Sequence, residues 1–229
     1  EEPMRINDDL TESVIVHAAN LDWVKSPAAG VDRRMLYRVG DEVARATSIV
    51  RYAPKSAFPR HVHSGGEEIL VLEGTFQDEH GDYPAGSYFR NPPGTSHEPA
   101  AAEGCTIFVR LWQFRNGDDA QIVRQRGEGE TAALRDGAIA ARTLFDDGAE
   151  RVAIENWRAG ATVTVDNERG LEFILLSGSA RMNGEELEAQ SWGRLPTGQA
   201  LTATVGPHGT VIWFKDAPLE HRDILPMPQ

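Results

Sequence analysis

Two histidines one residue apart, followed by a carboxylate, are the feature of this sequence most suggestive of chemistry. The stretch FPRHVHSGGEE contains His61, His63 and Glu67, with Ser-Gly-Gly between the second histidine and the first glutamate. Side chains two apart on an extended strand point to the same side, so both imidazoles can reach one point. The small-residue turn lets Glu67 return to that point. A polar surface loop uses the same residue types, so the interpretation needs support from the rest of the chain.

His97 provides a fourth donor. It follows NPPGTS, a turn-rich segment that can direct a side chain inward from a different strand. Three imidazoles and one carboxylate form a borderline-soft donor set, which suits zinc, iron(II), manganese, nickel or copper. These residues therefore predict a site for a divalent transition metal, with zinc preferred to iron, manganese and nickel.

Short alternating segments must position these side chains. VARATSIVRY, EEILVLEG and CTIFVRLWQF alternate in polarity and are bounded by Gly, Pro, Asn or Asp. Such runs are typical of β-strands. Many short strands separated by glycine and proline turns predict an all-β chain that folds as a sandwich or barrel.

The sequence also contains an internal repeat. EEILVLEGTF…AGSYFRNPPG resembles LEFILLSGSA…AQSWGRLPTG at an offset of 104 residues, which aligns Gly74 with Gly178 and Pro92 with Pro196. Glycine and proline fix turn geometry, so the two copies are expected to share a fold without sharing chemistry. The repeat predicts two tandem β-barrels, at residues 1–116 and 138–229, joined by a linker at 117–137.

The second copy lacks the metal-binding side chains. At the same offset, Leu171 and Leu201 replace Glu67 and His97, and the positions of the other two histidines fall near Val165 and Asn167. The second barrel is therefore predicted to be degenerate, and the chain is predicted to bind one metal ion.

Two longer patterns resemble the motifs of the cupin family. They are His-x-His-x3-Glu-x6-Gly, from His61 to Gly74, and Gly-x5-Pro-x-Gly-x2-His, from Gly86 to His97. The resemblance implies small jelly-roll barrels in which His61, His63, Glu67 and His97 bind the metal. Lys55 and Ala101 depart from the family pattern, but neither lies at a ligand position.

A longer segment, from RRMLYRVGDEV to CTIFVRLWQF, resembles the cupin-like domain of ChrR-type anti-sigma factors. That resemblance implies a regulatory sensor of oxidative stress or of a small ligand. Members of the family hold a sigma factor through a zinc module with a His-x3-Cys-x2-Cys motif. Because Cys105 is the single cysteine of this sequence, we expect a sigma factor to be held only through a module that is not present in this chain.

An enzymatic alternative uses the same site. Four protein ligands leave open positions on a five- or six-coordinate metal, so a metal-dependent cupin dioxygenase or a related small-molecule enzyme is the other hypothesis. Arg90, Arg110 and Cys105 are the candidate cavity-lining residues, because the arginines could bind a substrate carboxylate and the thiol could approach the metal. Structural ion pairs and a buried core position are the alternatives for these three.

Charge and composition restrict the partners. Lys and Arg number 23 against 35 Asp and Glu, a net charge of −12, which disfavours direct binding of nucleic acid. Apolar runs of about 18 residues and a signal peptide are both missing, so no membrane contact and a cytoplasmic location are expected. Exposed edge strands of a barrel can pair across a two-fold axis, and a homodimer is therefore predicted.

Overall fold

Antiparallel β-strands make up most of the protein. The computed structural model describes residues 2–228, and within that range it contains one 3-10 turn, at Ala18–Asn20, and no α-helix. No helix in the described range has the length and apolar character needed to cross a membrane. The prediction of an all-β chain is confirmed.

The strands are, in chain order, β1 Arg5–Ile6, β2 Val14–His17, β3 Val24–Lys25, β4 Val31–Gly40, β5 Ala44–Tyr52, β6 Ser56–Ala57, β7 His61–Val62, β8 Glu67–Asp78, β9 Gly81–Pro84, β10 Tyr88–Asn91, β11 Ser96–His97, β12 Ala100–Ala101, β13 Cys105–Leu111, β14 Ile122–Arg124, β15 Glu130–Thr131, β16 Ala138–Asp146, β17 Arg151–Trp157, β18 Thr162–Val165, β19 Leu171–Met182, β20 Glu185–Glu188, β21 Ser191–Leu195 and β22 Leu201–Asp216.

These strands form two compact units, which we call the first and second barrels. The first contains residues 2–8, 22–127 and 221–228, and the second contains residues 9–21 and 128–220. The boundaries differ from those expected at one segment near each end of the chain, residues 9–21 and residues 221–228. β2 pairs with β21 and so belongs to the second barrel, and residues 221–228 belong to the first.

The predicted linker at 117–137 also contains sheet structure. β14 pairs with β10 in the first barrel, and β15 pairs with β16 in the second. The stretch is rich in polar residues and glycine, but its short strands satisfy their backbone groups on the edges of the two sheets.

The first barrel is built around a sheet with the strand order β1-β4-β5-β13-β8-β10-β14, with smaller pairings of β6 with β12, β8 with β12 and β9, and β7 with β11. Alternate residues of its central strands form one apolar cluster. Ile69 and Val71 on β8 lie in this cluster with Ile107 and Val109 on β13, as the two-residue period requires. The cluster forms the wall behind the candidate ligands.

The second barrel has the strand order β15-β16-β17-β22-β19-β21-β2. Its core is apolar and includes Trp157, Phe173, Met182 and Phe214 at 2% exposure or less. Apolar side chains fill this barrel.

The structure reproduces the repeat in its register. β8 and β19 both contain 12 residues and begin 104 positions apart. Each ends in a hairpin, which pairs Asp78 with Gly81 in the first barrel and Met182 with Glu185 in the second. The two tandem jelly-roll barrels inferred from the repeat are therefore present.

One backbone irregularity is also repeated. Gly74 and Gly178 adopt φ values of 70° and 77°, in the left-handed region that favours glycine. A Cβ atom at Gly74 would overlap the carbonyl oxygen of Gly104, and one at Gly178 would overlap that of Gly209. At each of these positions the strands approach too closely to accept a side chain.

We expect Gly74→Ala and Gly178→Ala to destabilise the protein more than Gly94→Ala and Gly198→Ala. All four glycines have positive φ, which costs an alanine about 1–2 kcal/mol. An added Cβ at Gly94 or Gly198 meets nothing within 4 Å, so only the first two variants add an overlap with backbone. Urea unfolding measures the free energy of unfolding of each variant. An equal decrease in all four variants would contradict the close backbone contact at Gly74 and Gly178.

Candidate metal centre

The four predicted ligands come together inside the first barrel. His61 on β7 lies directly opposite His97 on β11, and Glu67 is the first residue of β8. His63 lies in the connection between β7 and β8. One donor atom from each of the four lies within 4.8 Å of the others.

The distances between donor atoms fit a shared ion. His63 Nε2 lies 3.0 Å from His97 Nε2 and 2.9 Å from Glu67 Oε2, and His97 Nε2 lies 3.5 Å from Glu67 Oε1. Donors that bind one ion at about 2.1 Å stand about 3.0–3.4 Å apart for angles near 90–109°. The His61 ring is more distant, with its centroid 5.1 Å from that of His63 and 5.0 Å from that of His97.

Burial separates the donors into two groups. His63, Glu67 and His97 are 7%, 6% and 3% exposed, whereas His61 is exposed. Three donors are therefore held in the interior, and the fourth stands at the opening to solvent.

The surroundings shift the pKa values of two donors, Glu67 and His97, in the direction of their metal-binding forms. Burial raises the pKa of Glu67, but the hydrogen bond with His63 and the charges of the surrounding imidazoles outweigh it, so this pKa lies below its usual value. Burial is the largest influence on His97 and lowers its pKa. An ionised carboxylate and a neutral imidazole are the forms that bind a metal.

Side chains behind the donors hold the rings in position. His63 Nδ1 lies 3.2 Å from Thr95 Oγ1, and His97 Nδ1 lies 3.4 Å from Asp78 Oδ2, without hydrogen-bond geometry. These contacts leave the Nε2 atoms facing one another, as expected when an outer partner orients a metal-binding histidine. Sequence reasoning missed Thr95 and Asp78. Thr95 could have been found, because it lies two positions before His97 and so on the same side of the segment.

The carboxylate has an outer partner as well. Asn91 Nδ2 donates to Glu67 Oε1 at 3.5 Å, and Asn91 is opposite Glu67 in the pairing of β10 with β8. Sequence reasoning missed Asn91 also, since cross-strand register cannot be read from local pattern.

The Ser-Gly-Gly turn is required by the packing of two aromatic rings. A Cβ atom at Gly65 would overlap the Trp112 indole, and one at Gly66, where φ is 78°, would lie 2.6 Å from the ring of Phe114. Trp112 itself has a φ of 59°, a rare conformation for a bulky residue. The turn therefore passes tightly over these rings and delivers Glu67 to the cluster.

The donors face a cavity of about 660 Å³. Its lining is mostly apolar, with the donors and a few other polar groups, and consists of Val31, Arg33, Glu42, Val43, Ala44, Val50, Tyr52, His61, Val62, His63, Ser64, Gly65, Gly66, Glu67, Ile69, Phe76, His97, Pro99, Ile107, Val109, Leu111, Trp112 and Pro228. A cavity of this size accommodates a small organic molecule beside the metal site.

The arginines that sequence reasoning placed beside the cavity do not line it. Arg90 is 1% exposed and binds Asp118, with Nη2 at 2.6 Å from Oδ2, and its guanidinium stacks over the Phe114 ring. Arg110 is 3% exposed and donates to Glu68 at 2.9 Å and to Gln113 at 2.9 Å. Both guanidinium groups make buried ion pairs within the barrel. These are the structural ion pairs named above as the alternative to substrate binding.

Cys105 does not line the cavity either. It is 5% exposed and belongs to the apolar cluster of the first barrel. Burial raises the pKa of its thiol to about 12. The core position considered from the sequence is the one observed.

We expect the Cys105 thiol to be unreactive in the folded protein. With a pKa of about 12, about one thiol in ten thousand is ionised at pH 8, and the thiolate is the reactive form. Because the raised pKa moves ionisation of the thiol to higher pH, its reactivity should stay low until strongly alkaline pH. Titration with a chromogenic disulfide should show no reaction in buffer and one thiol per chain in denaturant. Rapid reaction in buffer would contradict the buried position.

The second barrel has the same backbone arrangement without the donors. Val165 pairs with Leu201 across β18 and β22, as His61 pairs with His97 in the first barrel. Leu171 begins β19 and is 1% exposed in the apolar core.

Asn167 stands where the second histidine would fall. Its side-chain amide donates to the carbonyl oxygens of Pro196 and Gln199 at 2.8 and 2.9 Å, and its Oδ1 accepts from Gly170 N at 2.8 Å. This residue stabilises a turn instead of facing a site.

Known proteins resemble this chain in two ways, through a family match over residues 11–115 and through a shared fold. Residues 11–115 match the family described as the ChrR cupin-like domain. The solved structures described next share the fold over most of the chain. No curated protein is similar enough in sequence to be matched.

Three solved structures illustrate the fold. A candidate dioxygenase from Nostoc punctiforme has a TM-score of 0.71 and 15% identity, over 96% of this chain and 88% of that one. The pirin YhhW of Escherichia coli, in complex with nickel(II), has a TM-score of 0.64 and 16% identity, over 90% and 99%. Oxalate decarboxylase of Bacillus subtilis, with Mn(II) centres, has a TM-score of 0.59 and 12% identity, over 89% and 77%.

Proposed function

We propose that the first barrel binds one divalent transition-metal ion through His61, His63, Glu67 and His97 and acts as a ChrR-type sensor domain for a small molecule or an oxidant. The observation that carries the proposal is the convergence of three imidazoles and one carboxylate on one point at the edge of an apolar cavity. The match of residues 11–115 to the ChrR cupin-like domain supports the regulatory role.

The donor set suits zinc, iron, manganese or nickel. Borderline metals accept imidazole nitrogen and carboxylate oxygen together, and the related folds include nickel and manganese proteins. We favour zinc for a sensor of a small molecule, since zinc has no redox chemistry of its own and binds a ligand without being oxidised or reduced. A bound metal supplies a Lewis-acid position that a small ligand can occupy.

The residues of the chain then determine what the ligand meets. Glu67 brings one negative charge to the metal, and the three histidines bring none, so a dication keeps a net positive charge that attracts an anionic or polar ligand group. His61, the exposed donor, stands at the opening through which such a ligand enters. Ile107, Val109 and Leu111 of β13 give the rest of the cavity an apolar wall.

The second candidate function is that of a metal-dependent oxygenase. It is favoured by the size of the cavity, about 660 Å³, and by the similarity in fold to the candidate dioxygenase of Nostoc punctiforme. Iron would then take the place of zinc, and the cavity would hold the organic substrate next to it.

Metal content tests the site. We expect one metal ion per wild-type chain, and a loss of most of it in His97→Ala and Glu67→Gln, because each variant removes a ligand and the second also removes the ligand charge. Elemental analysis of dialysed protein measures the occupancy. His208→Ala is the control, since His208 lies outside the donor cluster. Full occupancy in both ligand variants would exclude this site, and two ions per wild-type chain would contradict the degenerate second barrel.

Oxygen uptake separates the two functions. We expect protein loaded anaerobically with iron(II) to consume no more oxygen than an equal amount of the Glu67→Gln variant, when small aromatic and aliphatic acids are added in turn. An oxygen electrode measures the rate. Catalytic uptake by the wild type with one of these acids would favour the oxygenase and overturn the sensor.

A further inference from the structure

Arg33 is a charged group in the wall of the cavity that neither the sequence motifs nor the metal centre accounts for. It lies on β4 opposite Val50 of β5 and lines the cavity together with Val31 two positions earlier, on the same face of the strand. Its side chain is 15% exposed. A cation is thus held in a mostly apolar enclosure that also contains the metal ligands.

The charge of Arg33 is weakly compensated. Among the described residues, its ion-pair partner is Glu42, with Nη1 and Oε2 3.7 Å apart, beyond hydrogen-bond distance. The Glu42 side chain is 66% exposed, so solvent competes for its carboxylate. The buried Nε atom of Arg33 has no hydrogen-bond partner. Leaving such a donor unsatisfied is costly. Because the Nε atom of Arg90 is in the same situation, the feature particular to Arg33 is its distant and exposed carboxylate, which leaves the guanidinium able to bind another acceptor.

Two other buried arginines of this barrel have closer acidic partners than Arg33 has. Arg90 and Arg110 each donate to a carboxylate at 2.9 Å or less and to a further oxygen atom. Neither faces the cavity. The arginine that does face it is the one left with a distant and exposed partner.

Tyr52 adds a neutral donor on the same wall. Tyr52 lies opposite Val31 in the pairing of β4 with β5, and it also lines the cavity. Its ring is held edge-on against Phe58 and Phe76. Burial and the nearby Glu67 raise the pKa of Tyr52, so the hydroxyl keeps its proton and can donate.

We propose that the occupant of this cavity is a small organic acid with one carboxylate and an apolar body, and that Arg33 binds the carboxylate. The body packs against Val50, Ile107 and Val109, and the far end reaches the cluster of His61, His63, Glu67 and His97. Arg33 is a specificity-determining residue in this arrangement. The inference deepens the proposed function and rests on it for the end of the ligand at the metal.

The carboxylate has two cations available in this cavity, Arg33 and the metal ion. The neutral amide of the same acid keeps the apolar body and lacks the charge. Comparison of acid and amide therefore isolates the carboxylate, and variants at the two ends show which cation binds it.

The probes are 2-naphthoate and 2-naphthamide, titrated by calorimetry into metal-loaded protein. We expect naphthoate to bind the wild type at least about tenfold more tightly than the amide, the range of a charge-assisted hydrogen bond. Arg33→Gln should remove this preference and leave amide affinity within about twofold. Arg51→Gln is the matched control, because Arg51 also lies on this pair of strands, binds Asp32 and does not line the cavity.

A second variant gives a change in the opposite direction. Glu42→Gln removes the carboxylate that competes for Arg33, so naphthoate should bind about two- to fivefold more tightly while amide binding is unchanged. Because Glu42 is largely exposed, this variant tests the same interaction without disturbing the core.

Three results would overturn the proposal. One is naphthoate binding that is unchanged in both Arg33→Gln and Glu42→Gln. Another is naphthoate binding no tighter than that of the amide, including no binding of either. The third is naphthoate binding lost in the metal-depleted His97→Ala protein but kept in Arg33→Gln, which would assign the carboxylate to the metal and leave the proposed function intact. Failure of the proposed function appears separately, as a wild type without metal.

Discussion

The candidate site depends on the burial of the Glu67 carboxylate among three imidazoles. An ionised carboxylate removed from water is costly unless positive charge or hydrogen bonds compensate it. Here the compensation comes from His63, at 2.9 Å, and from Asn91, at 3.5 Å, while burial lowers the pKa of His97 and so disfavours its charged form. A dication at the point where the donors meet would supply the remaining charge. The second barrel has Leu171 at this position and needs no such compensation.

The two barrels show that the backbone and the chemistry of this fold are specified separately. Both have a 12-residue strand that begins at the ligand position and a glycine of positive φ further along it. Two positions before that glycine, Leu72 or Leu176 is skipped in the pairing with β13 or β22. These features fix the strand twist and the direction of the side chains. With that geometry held constant, replacing His61 and His97 by an apolar pair converts a polar pocket into packed core.

The features predicted correctly from the sequence are those that depend on local pattern. Alternation identified the long strands, and the 104-residue offset identified the repeat. The His-x-His-x3-Glu spacing and the turn before His97 identified His61, His63, Glu67 and His97. Sequence reasoning did not reach pairings between distant segments. The exchange of β2 into the second barrel depends on its register with β21, and nothing near Val14 in the sequence encodes that partner.

The arginines show the same limit of prediction from local sequence pattern, here for single side chains. Arg90, Arg110 and Arg33 all lie on strands of the first barrel, and period-two alternation cannot tell which guanidinium will meet a carboxylate. Arg90 and Arg110 find Asp118 and Glu68 in the folded chain, so their charges are neutralised within the protein. Arg33 meets an exposed glutamate at 3.7 Å and otherwise faces the cavity. Because a buried charge needs a partner, the arginine whose carboxylate is the most distant of the three is the one that we propose selects what enters the cavity.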